Sequence, residues 1–173
     1  DPEFIKGLKV LPPSVFRDFR GEYVKTFDAR EYAFRDRSGE PVTFVEDDIS
    51  VSRRGVLRGL HGDPKTWKLI QCLYGEFFFA VADMRRDSPT YLNWQTFTLN
   101  DKDRKQVLVP AGCANGHLCL SDKCLFSYKQ SEYYSGSDKQ FTVRWDEPRL
   151  GIKWPVASPE LSARDAGAAY LEA

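Results

Sequence analysis

A chain of 173 residues fits one domain, large enough to bury about 70% of its unfolded surface, so its core needs neither disulfide nor metal. Basic and acidic residues balance at 25 each, which leaves no global field for nucleic acid or an anionic membrane surface. No apolar stretch approaches the roughly 18 residues of a membrane span and no secretory leader opens the chain, so the expected compartment is the cytoplasm. Residues 1–4 (DPEF) read as a cloning remnant, and residues 5–173 as a single domain.

Taken in order, residues 21–27 (GEYVKTF) alternate in type and predict a strand, and residues 29–35 a short helix. Residues 56–63 approach His61 as a strand and end in a Gly-rich turn. Residues 68–83 (KLIQCLYGEFFFAVAD) read as two strands around a Gly75-Glu76 turn. Residues 91–99 alternate again, and 106–109 form a short apolar run stopped by Pro110. Residues 118–120 and 125–129 flank Ser121-Asp122-Lys123 in a hairpin pattern. Residues 141–145 add a strand, and the tail from Ser158 holds one or two helical turns. Many short strands with few helices predict a mostly β fold, an antiparallel sandwich or barrel for which a cupin-type jelly roll is the natural candidate.

Cys72, Cys113, Cys119 and Cys124 match no zinc spacing and sit in or beside apolar runs, so they read as buried free thiols. The only histidines are His61 and His117, with neither an HxH pair nor HExxH. Two isolated histidines predict no metal site, and the absence of a GxGxxG or P-loop predicts no redox cofactor. Around His61 stand Arg58, Asp63, Lys65 and Lys68. A histidine titrates near neutrality and can serve as a base, while neighbouring cations bind an anionic substrate or a developing oxyanion. From these residues alone, His61 stays open between that role and a histidine satisfied by a backbone carbonyl at a strand end.

An ordered set of motifs carries more. Residues 16–21 (FRDFRG) are similar to FxDxRG, residues 57–61 match LRGLH, and Lys68-Leu69 matches KLV. Residues 88–91 match SPTF, 109–113 (VPAGC) resemble IPEGF, and 126–129 (FSYK) resemble FLYK, followed by EYY at 132–134. Residues 144–148 (RWDEP), 151–155 (GIKWP) and 161–165 (LSARD) resemble RWDDP, GIDWP and LSAKD. In this order and register they resemble the dTDP-4-dehydrorhamnose 3,5-epimerase family, dimeric jelly-roll enzymes, from about Ile5 to Asp165. The resemblance implies epimerisation of a nucleotide-diphospho-4-keto sugar at C3, or at C3 and C5, through an enolate and without a cofactor. It implies His61 as general base, Asp165 as the carboxylate orienting it, Tyr128 as acid on the opposite face, and Lys68 beside the enolate oxygen. Arg20 and Arg58 match arginines that hold the diphosphate, and a homodimer is implied.

The chain departs from the pattern where substrate would be read. Asn115 stands in place of a family histidine, with His117 two positions on. Glu46 and Asp48 replace a frequent glutamine and asparagine, Lys25 replaces a glutamate, and the turn after His61 is short. Glu46, Asp48, Asn115 and His117 are therefore expected to contact the substrate, and the identity of its nucleotide stays open. The alternatives are a 3,4-ketoisomerase using the same enolate and a non-catalytic cupin that binds a nucleotide sugar. The filled positions 61, 128 and 165 favour an active site.

Overall fold

In the computed structural model, which describes residues 4–172, short runs of β-branched and aromatic residues bounded by Gly, Pro and Asp become strands. The cloning-remnant reading falls, apart from Phe4, outside the described residues. In chain order the strands are β1 (Lys9–Leu11), β2 (Ser14–Asp18), β3 (Gly21–Lys25), β4 (Glu46–Arg53), β5 (Leu57–Gly62) and β6 (Lys68–Tyr74). They continue as β7 (Glu76–Asp83), β8 (Trp94–Asn100), β9 (Gln106–Val109), β10 (Cys113–Cys119), β11 (Lys123–Gln130) and β12 (Phe141–Thr142). One short helix, α1 (Ala163–Ala166), lies in the tail where one or two turns were expected.

Two five-stranded antiparallel sheets, ordered β1-β9-β6-β11-β4 and β12-β5-β10-β7-β8, make a jelly roll. Strands β2 and β3 form a separate hairpin. Between the sheets, Ile70, Cys72, Val107 and Phe126 of the first meet Phe77, Phe79, Val81 and Leu99 of the second. Much of each outer face is also covered, because alternate residues point out and apolar ones still need shelter from water. Trp67, Leu69 and Leu108 are packed by Phe27, Tyr32, Phe34 and Phe44. Leu60, Ala80 and Ala82 lie under the carboxy-terminal segment with Leu150 and Trp154. All four cysteines are free and buried, as expected.

Three local expectations are corrected. The run 118–129 is not a hairpin: β10 and β11 belong to different sheets, as do β6 and β7 on either side of Gly75. Gly75 has φ +79°, and a β-carbon there would stand 2.3 Å from the Lys123 carbonyl oxygen. The chain steps from sheet to sheet at these corners, and a turn signal alone cannot tell a corner from a hairpin. Residues 29–35 form a single turn instead of a helix. The Asp28 carbonyl accepts from the amides of Glu31 and Tyr32, and the aromatics beyond leave helical spacing to cover the sheet. Pairing in the 141–145 run is confined, as β12, to Phe141 and Thr142 against Gly62 and His61.

Strand β4 went unread in the sequence, because its apolar alternation is confined to Ile49 and Val51 after three acidic residues. Its inward residues are Glu46, Asp48, Ser50 and Ser52, while Ile49 and Val51 point outward and are exposed. Such inverted patterning brings Ser50 to the wall of a cavity on one side and leaves an apolar edge on the other.

Candidate active site

Between the sheets, at the end near α1, lies a cavity of about 490 Å³ whose lining includes Arg58, His61, Lys68, Asn115, Tyr128 and Asp165. His61 enters from β5 and Asp165 from α1. Ser162 caps the helix by accepting the Asp165 amide at 3.1 Å, which aims the carboxylate back at the sheet. Its Oδ1 lies 2.6 Å from His61 Nε2, and its Oδ2 accepts the Gly59 amide at 3.1 Å. Gly59 makes this approach possible: its φ is +130°, and a β-carbon there would fall 2.5 Å from the Gly116 α-carbon on β10.

Burial alone would push the Asp165 carboxyl up. The hydrogen bond and charge of His61, with the Gly59 amide and Arg164, outweigh burial and hold it below its ordinary range. An ionised Asp165 fixes the Nε2–H tautomer and leaves Nδ1 as the basic nitrogen.

Across the cavity, Tyr128 on β11 presents its ring beside Phe126 at 5.3 Å between centroids. Burial, then the charges of Asp48 and Glu46, push its phenol up to about 12, so it holds its proton at neutral pH. Its hydroxyl has no hydrogen-bond partner among the described residues. Lys68, only 5% exposed at the start of β6, donates to Asn115 Oδ1 at 3.1 Å. Burial depresses its ammonium to about 8; Asp63 opposes that and Arg164 adds to it.

The remaining expected residues divide. Arg58 lines the cavity and is steadied by Ser52 Oγ at 2.9 Å. His117 is in the wall, stacked on Phe126 at 4.0 Å and 7°. Burial first, then Arg58 and His61, push its ring down to about 3, so it stays neutral, and its Nε2 has no hydrogen-bond partner among the described residues. Glu46 and Asp48 continue the inward row of β4 beyond Ser50, and both accept from Gln130 Nε2, at 2.9 and 2.7 Å. Proximity of Asp48 raises the Glu46 carboxyl, and Glu46 also accepts the Tyr134 amide at 3.4 Å.

Arg20 is not in this cavity. It sits at the tip of the β2–β3 hairpin, exposed and paired with Asp18 at 2.7 Å. Phe16, Phe19 and Tyr23 on the same arm are 63%, 98% and 73% exposed.

Sequence reasoning passed over Arg53, Tyr134 and Arg164, which also line the cavity. Arg164 is held by Thr142 Oγ1 and Gln140 Oε1. Its signal was its place beside Asp165 in the LSARD stretch. Among the described residues no three His, Cys, Asp or Glu side chains could together hold a metal ion.

Comparison with known proteins meets this geometry. A family model described as dTDP-4-dehydrorhamnose 3,5-epimerase matches residues 3–173. The Salmonella typhimurium dTDP-4-dehydrorhamnose 3,5-epimerase is 38% identical over 172 residues, 97% of this chain and 92% of its own length. The Bacillus anthracis dTDP-4-dehydrorhamnose 3,5-epimerase, solved with TDP and PPi bound, superposes with a TM-score of 0.89 at 34% identity, covering 99% of this chain and 97% of that one. A 3′-monoepimerase from Streptomyces bikiniensis, in complex with dTDP-quinovose, superposes with a TM-score of 0.86 at 29% identity, covering 96% and 84%.

Proposed function

The chain belongs to the dTDP-4-dehydrorhamnose 3,5-epimerase family, and from that premise we propose the roles its own residues take in the reaction. It is an isomerase that epimerises a nucleotide-linked 4-keto sugar. The observation carrying the assignment is the 2.6 Å His61–Asp165 pair facing Tyr128 and Lys68 across one cavity.

His61 Nδ1 removes the proton at C3, next to the C4 ketone, and Asp165 steadies the imidazolium that forms. The electron pair moves onto the ketone oxygen, where Lys68 supplies positive charge. Tyr128 then protonates the carbon from the other face, inverting it. A phenol still protonated at neutral pH and a depressed but charged ammonium support this division of labour. Arg58 and Arg164 hold the diphosphate at the rim.

Glu46 and Asp48, which stand on β4 outside the cavity lining and are bridged by Gln130, are assigned the nucleobase, since they continue the β4 row that reaches the cavity at Ser50. Carboxylates only accept, so they suit a base edge with adjacent N–H donors, as in guanine, whereas thymine would turn carbonyl oxygens toward them. The test is a panel of dTDP-, CDP- and GDP-linked 4-keto sugars incubated in D₂O and followed by proton NMR. Exchange at C3 is expected, fastest on the GDP-linked member. Faster turnover of the dTDP-linked member would overturn the reading of Glu46 and Asp48. Exchange at C5 as well would make it a 3,5-epimerase, and a product with the ketone moved to C3 would make it a ketoisomerase.

The working unit in this proposal is a homodimer in the cytoplasm. Exposed aromatics on the β2–β3 arm, an outward apolar row on β4 and an Arg20 remote from its own cavity support an arm that serves a neighbour's site. Reduced, buried cysteines are in keeping with that compartment. Size-exclusion chromatography with light scattering should return twice the chain mass, and Phe19→Ser with Tyr23→Ser should shift it toward the monomer. A monomeric wild type with full activity would refute the shared site.

A further inference from the structure

Lys68 and Asn115 enter the cavity from opposite sheets, β6 and β10, and meet in its wall with 5% and 7% of their surfaces exposed. The only hydrogen bond of the Lys68 ammonium to a side chain, among the described residues, is the 3.1 Å contact with the Asn115 carbonyl oxygen. No carboxylate among the described residues pairs with it. Asp165 is occupied by His61 and Gly59, and Asp63 accepts the amides of Lys65 and Thr66 at 2.8 Å. A buried ammonium with a neutral acceptor is unusual, because an ion pair is the common way to offset its desolvation.

We infer that Asn115 is a positioning residue, which holds the Lys68 ammonium over the reacting carbons while leaving its charge unneutralised for the enolate oxygen. This rests on the proposed role of Lys68. The long side chain of a lysine has several rotatable bonds, so a single fixed acceptor determines where its charge stands. A carboxylate would fix it equally well but would cancel the field the enolate needs. An apolar residue would leave the charge but not its place. Asparagine, a neutral acceptor, does both.

The arrangement has a signature in pH. The charged and titratable groups that share the cavity with Lys68 are Arg53 from β4, Arg58 and His61 from β5, His117 from β10, Tyr128 from β11, Tyr134 beyond it, Glu160, and Arg164 with Asp165 from α1; Asp63, from the turn after β5, and Arg164 act on its charge. Tyr128 and His117 hold fixed protonation states near neutrality, so Lys68, depressed to about 8, governs the alkaline limb. Activity is present below that limb and falls as pH rises through it.

The experiment is a pH profile of kcat for wild type, Asn115→Asp and Asn115→Leu, with nucleoside diphosphate affinity measured alongside. Asn115→Asp should lower kcat and move the alkaline limb to higher pH, since a carboxylate favours the charged lysine. Asn115→Leu should lower kcat by about 10²-fold through misplacement and move the limb to lower pH. Affinity for the nucleotide should hold in both, and Asn115→Asp, close to isosteric, keeps the test valid if the leucine variant fails to fold. A limb that stays in place in Asn115→Asp, or that moves the same way in both variants, overturns the inference. So does a rise in KM alone, which would make Asn115 a substrate contact. Lys68→Met serves as the control. If it retained wild-type kcat, the role of Lys68 itself would fail, separately from that of Asn115.

Discussion

His61→Ala should abolish turnover by at least about 10²–10⁴-fold, the usual contribution of a positioned general base, while nucleotide binding survives. The loss should extend to exchange of the C3 proton with D₂O, because among the described residues lining the cavity His61 is the one imidazole held by a carboxylate, at 2.6 Å. His117 cannot substitute: it is neutral, stacked on Phe126 and turned into the wall. The same change has a stability consequence. Asp165 is buried, and His61 is what draws its carboxyl below the ordinary range against burial. A group depressed in the folded state contributes stability above its unfolded pKa and loses it as pH falls through the folded one. Removing His61 therefore lowers stability at neutral pH, by roughly 1–3 kcal/mol for an unsatisfied buried group, and flattens its fall in acid. His61→Asn, which keeps a donor for Asp165, should be as inactive but more stable in chemical denaturation. Activity near wild type in either variant would remove His61 from the mechanism.

Tyr128→Phe should separate proton removal from inversion. The hydroxyl it deletes has no protein partner among the described residues, so folding should be little changed. With His61 and Asp165 intact, the C3 proton is still drawn off and exchanged with solvent. Without an acid on the opposite face it returns to the side it left. The expected result is deuterium entering the substrate with configuration retained, and inverted product falling by about 10²–10⁴-fold. NMR of one reaction in D₂O reads both. Product at the wild-type rate would mean that water or another group protonates that face. Loss of exchange together with inversion would mean that Tyr128 shares the first step.

Three residues that share the cavity were singled out along the chain because they sit in short, ordered motifs: His61 in LRGLH, Tyr128 in FSYK and Asp165 in LSARD. The jelly roll was legible as a class from many short strands with few helices. Strand β4 was not, since its inward face is acidic and hydroxylic and its apolar residues point out. Nor was the status of Arg20, which its motif assigns to the diphosphate but which stands on an exposed arm outside its own cavity.

What the sequence determined by itself, then, is which residue types are available for such chemistry and that alternating runs must pair into sheets, because side-chain chemistry and strand period are local properties. Tertiary structure alone decided their partners. Residues 61 and 165 are far apart in the chain, and they meet because Gly59 lets β5 lie tightly on β10 while Ser162 turns α1 toward it. Lys68 and Asn115 meet because corners at Gly75 and Ser121 send successive strands to opposite sheets. A turn signal looks the same for a hairpin and for a corner. Only the burial of both sheet faces selects between them, and that selection sets which charge stands beside which acceptor.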